Sequence, residues 1–135
     1  MTKYFTAYAA TLVVMVALDM IWLGAVAKSF YQQGIGHLMA ERPNIPVAVL
    51  FYAVYALGLV VFAVAPGGST AGWSKTLALG ALFGFFAYAT YDLTNLATLK
   101  NWPAGVALLD IAWGSLVSAV SVAAGKAALD RFGAI

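Results

Sequence analysis

Apolar residues run almost without interruption along this chain, and the few charged ones mark where the runs stop. Lys3, Lys28, Glu41, Arg42, Lys75, Lys100, Lys126, Asp130 and Arg131 lie at or beyond the ends of four apolar stretches, about residues 4–27, 46–65, 75–99 and 103–125. Each is long enough to cross a bilayer as a helix, since about 20 apolar residues at 1.5 Å apiece span the hydrocarbon. None alternates between apolar and polar positions as a barrel strand does. The pattern predicts an all-α membrane protein with four transmembrane helices in an antiparallel bundle, forming a single domain over residues 1–135. Pro46 and Pro103 suit first helical turns, where a missing N–H costs nothing. Pro66-Gly67-Gly68-Ser69 is expected to end the second span, with a flexible loop from Gly67 to Trp73.

Composition narrows this by closing alternatives. The 135 residues are 64% hydrophobic and only 9% charged, where a soluble domain carries roughly 25% charged residues. So few charges cannot cover a surface in water, which excludes a soluble enzyme and a disordered segment. The net charge of +2 is small and dispersed, so no nucleic-acid partner is expected. With no cysteine, disulfides, thiolate metal sites and thiol redox chemistry are excluded as well. The lipid bilayer is the expected partner, and so small a bundle also suits a homodimer or assembly with another membrane protein. The apolar run after Lys3 continues to Ala27, too long for a signal-peptide core, and reads as a retained helix.

Outside the spans the signals are weaker. Between Lys28 and Ile45, Tyr31, Ile35, Leu38 and Met39 fall at helical spacing, which predicts a short amphipathic turn on the membrane surface, weakened by Gly34 and Gly36. His37, the single histidine, lies there and reads as a surface residue; alone it cannot supply bis-histidine haem ligation. Trp73 and Trp102 read as interface anchors. Phe51, Tyr52 and Tyr55 give the second span an aromatic packing character.

Three carboxylates interrupt the spans. Asp19, Asp92 and Asp110 sit in the first, third and fourth apolar stretches. Unpaired and facing lipid, they would cost on the order of 8–10 kcal/mol together, as much as a typical total folding stability. They must face the bundle interior or a watery pocket, and no lysine or arginine within a span is there to neutralise them. Asp19 precedes Lys28 by nine residues, Asp92 precedes Lys100 by eight, and Asp110 follows Lys100 by ten. In a four-span topology those lysines share one side, which places all three acids about 12–15 Å below it. One shared acidic site is the expectation.

The helical faces agree. Gly80, Gly84, Tyr88 and Asp92 recur every four residues, with Tyr91 and Asn95 alongside. Asp110, Gly114, Ser118, Ser121 and Gly125 form a small, polar stripe on the fourth span, and Tyr8, Met15, Asp19 and Trp22 share a face of the first. Asp19 to Trp22 and Asp110 to Trp113 repeat one D-x-x-W spacing, which sets an indole N–H beside each acid or across to another helix. The candidate binding residues are therefore Asp19, Asp92, Asp110, Asn95, Trp22, Trp113, Tyr88 and Tyr91. No nucleophile–base pair, metal-ligand spacing or glycine-rich phosphate loop appears, and no cofactor or metal is expected.

The stretch Tyr88-Ala89-Thr90-Tyr91-Asp92-Leu93-Thr94-Asn95-Leu96-Ala97-Thr98, then Trp102-Pro103 and Asp110-Ile111-Ala112-Trp113-Gly114, resembles the signature of the bacterial DUF2177 membrane proteins. Asp19 with Trp22-Leu23-Gly24, and Phe51-Tyr52 through Tyr55 to Gly58, match it too. The resemblance implies a small four-helix protein of the bacterial inner membrane and carries no catalytic role to any residue. Lys3, Lys75, Lys126 and Arg131 on the terminal side, against Lys28, Arg42 and Lys100, favour cytoplasmic termini by one residue.

Three functions remain open. The cluster can be a proton- or cation-coupled site for binding or transporting a small molecule, with aromatic rings facing an organic cation. It can be structural, its protonated aspartates hydrogen-bonded to hold a structural or accessory membrane subunit together. Or it can serve an intramembrane lipid-modifying enzyme, one acid donating a proton while another accepts. The balance leans against an enzyme.

Overall fold

A computed structural model describes residues 2–67 and 72–132 of the chain. Four helices in it are long and apolar enough to cross a membrane: Thr2–Val26, Ile45–Val64, Trp73–Thr98 and Ala104–Phe132. No strand occurs among the described residues. The all-α membrane fold expected from the apolar runs is the fold observed.

Glycines decide which helices come closest. A Cβ on Gly84 would collide with the Gly114 carbonyl and the Ser118 side chain, and one on Gly80 with Val122. Residue numbers rise along the third span as they fall along the fourth, so these two run antiparallel with their backbones nearly touching. The first span lies on another side of the fourth, where a Cβ on Gly125 would strike Thr11 Oγ1. Its buried residues are Ala7, Thr11, Met15 and Asp19, one stripe every four residues. Met15, Leu59, Val64, Val117 and Val122 fill the core between the spans.

The second span is attached differently. Asn44 caps its start, its side-chain oxygen accepting from Val47 N–H at 3.2 Å, with Pro46 in the first turn. Its α-helical part, Ile45–Leu59, packs on the first span and reaches the third only from Tyr55 onward, through Tyr55 against Phe83 and Tyr88 and Gly58 against Phe83. Its wider π-helical turn, Val60–Val64, packs closely on the third. The second and third spans therefore diverge toward the end that carries Asn44. Helix continues through Ala65–Gly67, so Pro66 does not stop it. The expected stop at Gly68-Ser69 and most of the loop before Trp73 lie outside the described residues.

Three local expectations need correction. The segment after Lys28 does form a short helix, Lys28–Ile35, then a 3-10 turn, Gly36–Leu38. Tyr31 is not at the membrane surface, however: it is 7% exposed, in a second small core with Ala27, Trp102, Val106 and Ala107. Gly34 makes that docking feasible, since a Cβ there would come within 2.6 Å of Val106 Cγ2. Trp102 is buried in the same core rather than anchoring the interface. The fourth helix does not stop near Gly125 but runs on to Phe132. Lys126 is thus inside the helix and 2% exposed, paired with Asp130 at 3.2 Å and lying 5.2 Å from the centre of the Trp73 ring.

Candidate functional site

Asp19 lies one turn before the first span widens into a π-helical turn, Trp22–Val26. π-Turns rotate the residues beyond them and are frequent at functional sites. Asp19 is 5% exposed and fully engaged: Trp113 Nε1 donates to Oδ1 at 2.8 Å, and the Tyr52 hydroxyl donates to Oδ2 at 2.7 Å. Asp110, half-buried on the fourth span, accepts at Oδ1 from the Tyr31 hydroxyl at 2.8 Å, and that hydroxyl accepts from Trp22 Nε1 at 3.1 Å.

The two D-x-x-W pairs are therefore crossed. Trp113 serves the acid of the first span, and Trp22 serves the acid of the fourth through Tyr31. Between them the two indoles stack face to face, with ring centroids 4.3 Å apart and planes 2° from parallel. Burial of Tyr31 pushes its hydroxyl above the ordinary tyrosine range, reinforced by the nearby Asp110, so it remains a neutral donor at any ordinary pH.

Asp92 differs from both. Gly84 and Gly80 bring its helix against the fourth span, and Asp92 lies on the same stripe, 0% exposed. No N–H or hydroxyl donates to either carboxyl oxygen; the polar neighbour of Asp92 is another acid, Asp110, close enough to share a proton with it. Trp102 Nε1, also buried, has no hydrogen-bond partner. Asp92, Asp110, Tyr31, Tyr91 and Trp102 all line one cleft of about 200 Å³. The residues that carry the unsatisfied acceptors and the unsatisfied donor thus form walls of one cleft. Tyr91 stands edge-on to Trp102, their ring centroids 5.8 Å apart.

A larger cleft of about 510 Å³ adjoins it, lined by Asp19, Tyr52, Tyr55, Tyr88 and Asp110 among others. The two clefts share Leu23, Tyr91 and Asp110. Tyr88 keeps its ring over Gly114, where any Cβ would collide with it. The Tyr55 and Ser118 hydroxyls are bonded at 2.8 Å at the inner wall. All three aspartates border this composite space, with Asp110 common to both parts.

Of the residues expected at the site, Asp19, Asp92, Asp110, Tyr88 and Tyr91 line it, while Trp22 and Trp113 hold its acids from behind. Asn95 is half-buried and lines neither part. No group of three or more His, Cys, Asp or Glu among the described residues is arranged to hold a metal ion. Sequence reasoning missed Tyr31, Tyr52, Tyr55 and Trp102. Tyr52 and Tyr55, three residues apart in an apolar helix, were the available signal of a polar face. Tyr31 and Trp102 had none, because each sits in a connection whose docking no periodicity records.

Comparison with known proteins returns neither a curated protein nor a solved structure that matches. One family does match, described as predicted membrane protein (DUF2177), over residues 4–127. That match covers both D-x-x-W pairs, all three aspartates and every residue lining the clefts, and the chain belongs to the DUF2177 family of membrane proteins.

Proposed function

We propose that the chain binds a small organic cation at Asp92 and Asp110, in exchange with a proton, as the binding step of a coupled transporter of the bacterial inner membrane. The observation that carries this reading is the Asp92 carboxyl, wholly buried, served by no N–H or hydroxyl donor and paired only with another acid, Asp110, at the wall of a cleft with room for a ligand. A carboxylate removed from water with nothing to pair it is prohibitively costly. Such a group holds either a proton or a cation, and competition between the two is the physical basis of coupled exchange. The aromatic walls Tyr31, Tyr91 and Trp102 suit an organic cation, whose charge a ring face attracts. With cytoplasmic termini, the orientation that the lysine and arginine distribution favours, the site lies nearer the outer surface.

The test is infrared spectroscopy of the protein in lipid, following the carboxyl bands while ethylammonium is titrated at several pH values. Expected are loss of a protonated-carboxyl band on binding, absence of that band in Asp92→Asn, and at least a hundredfold weaker binding in that variant. One proton exchanged for one cation also makes the apparent affinity fall about tenfold per pH unit on the acid side of the transition. Wild-type affinity in Asp92→Asn would overturn the reading.

One observation favours the structural reading for a different acid. Asp19 has a donor on each oxygen, from the second and fourth spans. We assign it the role of tying three helices together at the wall of the site.

A further inference from the structure

The cleft has a side door. Because the second and third spans diverge toward Asn44, the space around Asp19 and Asp110 is open between them, with Phe51 (43% exposed) on one lip and Tyr91 (55%) on the other. Those exposed surfaces face the hydrocarbon of the bilayer, not water. Immediately outside lies a second hollow of about 340 Å³, lined by Val47, Leu50, Phe51, Val54 and Tyr55. Its one side-chain polar atom, the Tyr55 hydroxyl, is already bonded to Ser118. Phe51 and Tyr55 line both spaces, so the acidic cleft and the apolar groove lie on either side of the same two rings.

From this geometry we propose that the ligand is a single-chain cationic amphiphile, an alkylammonium in chemical class, that enters sideways from the membrane. Its ammonium head occupies the acidic cleft toward Asp110 and Asp92, and its alkyl chain lies in the groove along Val47, Leu50 and Val54. The proposal rests on the cation-binding reading and adds the tail and the route. Charge complementarity commits the occupant. Asp19, Asp92 and Asp110 border the cleft and no lysine or arginine lines it, so anionic heads are repelled and zwitterionic ones only half matched. The groove runs about 10 Å along the helix from Val47 to Val54, at 1.5 Å per residue, and its lining comes from one helix face, which suits one chain rather than two.

The experiment fills the groove without touching the acids. Val54 and Leu50 are 60% and 61% exposed toward lipid, so Val54→Trp and, separately, Leu50→Trp disturb no buried contact. Displacement of the Asp92 carboxyl band is measured in lipid nanodiscs with dodecylammonium, ethylammonium and the uncharged dodecanol. Comparing variants with wild type cancels partition of the amphiphile into the bilayer. Expected is at least a tenfold loss of dodecylammonium potency in either variant, unchanged ethylammonium potency, and no displacement by dodecanol. Dodecylammonium acting equally on wild type and both variants would overturn the groove and the lateral route while leaving cation binding intact. Displacement by dodecanol would show a site that reads the tail and not the charge, which also overturns it. If neither amine moves the band in wild type, the cation reading itself fails.

Discussion

Asp19 and Asp92 are the same side chain, both buried, on two helices that each pack against the fourth span, yet their surroundings are opposite. Asp19 has a donor for each oxygen, whereas Asp92 has no N–H or hydroxyl for either. A buried polar group with its hydrogen bonds made contributes modestly to stability, and one left without them costs more than the bond is worth. Asp19 is therefore expected to contribute more to the bundle's stability than Asp92. A protein keeps a group that costs stability where that group does something else, and on the proposed reading this separates Asp19, the tie, from Asp92, the acid that meets the ligand.

Four substitutions sharpen the contrast, from the largest expected effect down. Gly84→Val removes both regions at once: its side chain meets backbone at Gly114 as well as the Ser118 side chain, and backbone cannot step aside as a flexible side chain can. Overpacking costs about 1–3 kcal/mol even where side chains can yield, so the loss expected is at the top of that range or beyond, read as failure to recover folded protein in detergent. Next, Asp19→Leu leaves Trp113 and Tyr52 without their acceptor and should cost about 1–3 kcal/mol by reversible unfolding in bicelles. Asp92→Leu, which removes an acid that no N–H or hydroxyl serves, should cost less than Asp19→Leu in the same assay. Equal destabilisation by the two would erase the distinction. The smallest effect is expected of Tyr52→Phe, which deletes one of the two Asp19 bonds. Interhelical bonds in membranes average about 0.6 kcal/mol, because the unfolded chain in lipid also finds partners. Ligand binding in that variant should stay near wild type, since Trp113 still holds Asp19.

The two tryptophans show where sequence reading works and where it stops. That Trp22 and Trp113 lie beside acids follows from a spacing of three residues on a helix, a local property. Which acid each one serves is not local. Trp113 bonds an oxygen 94 residues away in the chain, and Tyr31 one 79 residues away. The same limit applies to Tyr52, read as a packing aromatic until its partner on another helix comes into view.

The connection between the first two spans makes the point again. Its apolar spacing announces a helix, correctly, and its two glycines argue against one. In the fold Gly34 is where the helix presses on Val106, so the residue that lowers intrinsic helix stability is the one that allows the docking. Packing outweighs propensity here because the docked helix buries Tyr31 and delivers a hydroxyl to Asp110.

By itself the sequence determined that the chain lies in a membrane, how many helices are long enough to cross it, and that three aspartates must turn away from lipid. All of these follow from the cost of placing polar groups in hydrocarbon, which each helix meets alone. Only the tertiary structure decided which acid receives two donors and which receives none, that Tyr31 and Trp102 line a cleft with two of the acids, and where the second and third spans part. Those depend on how closely the helices approach one another and where they part, and that is set by pairs of residues from distant parts of the chain.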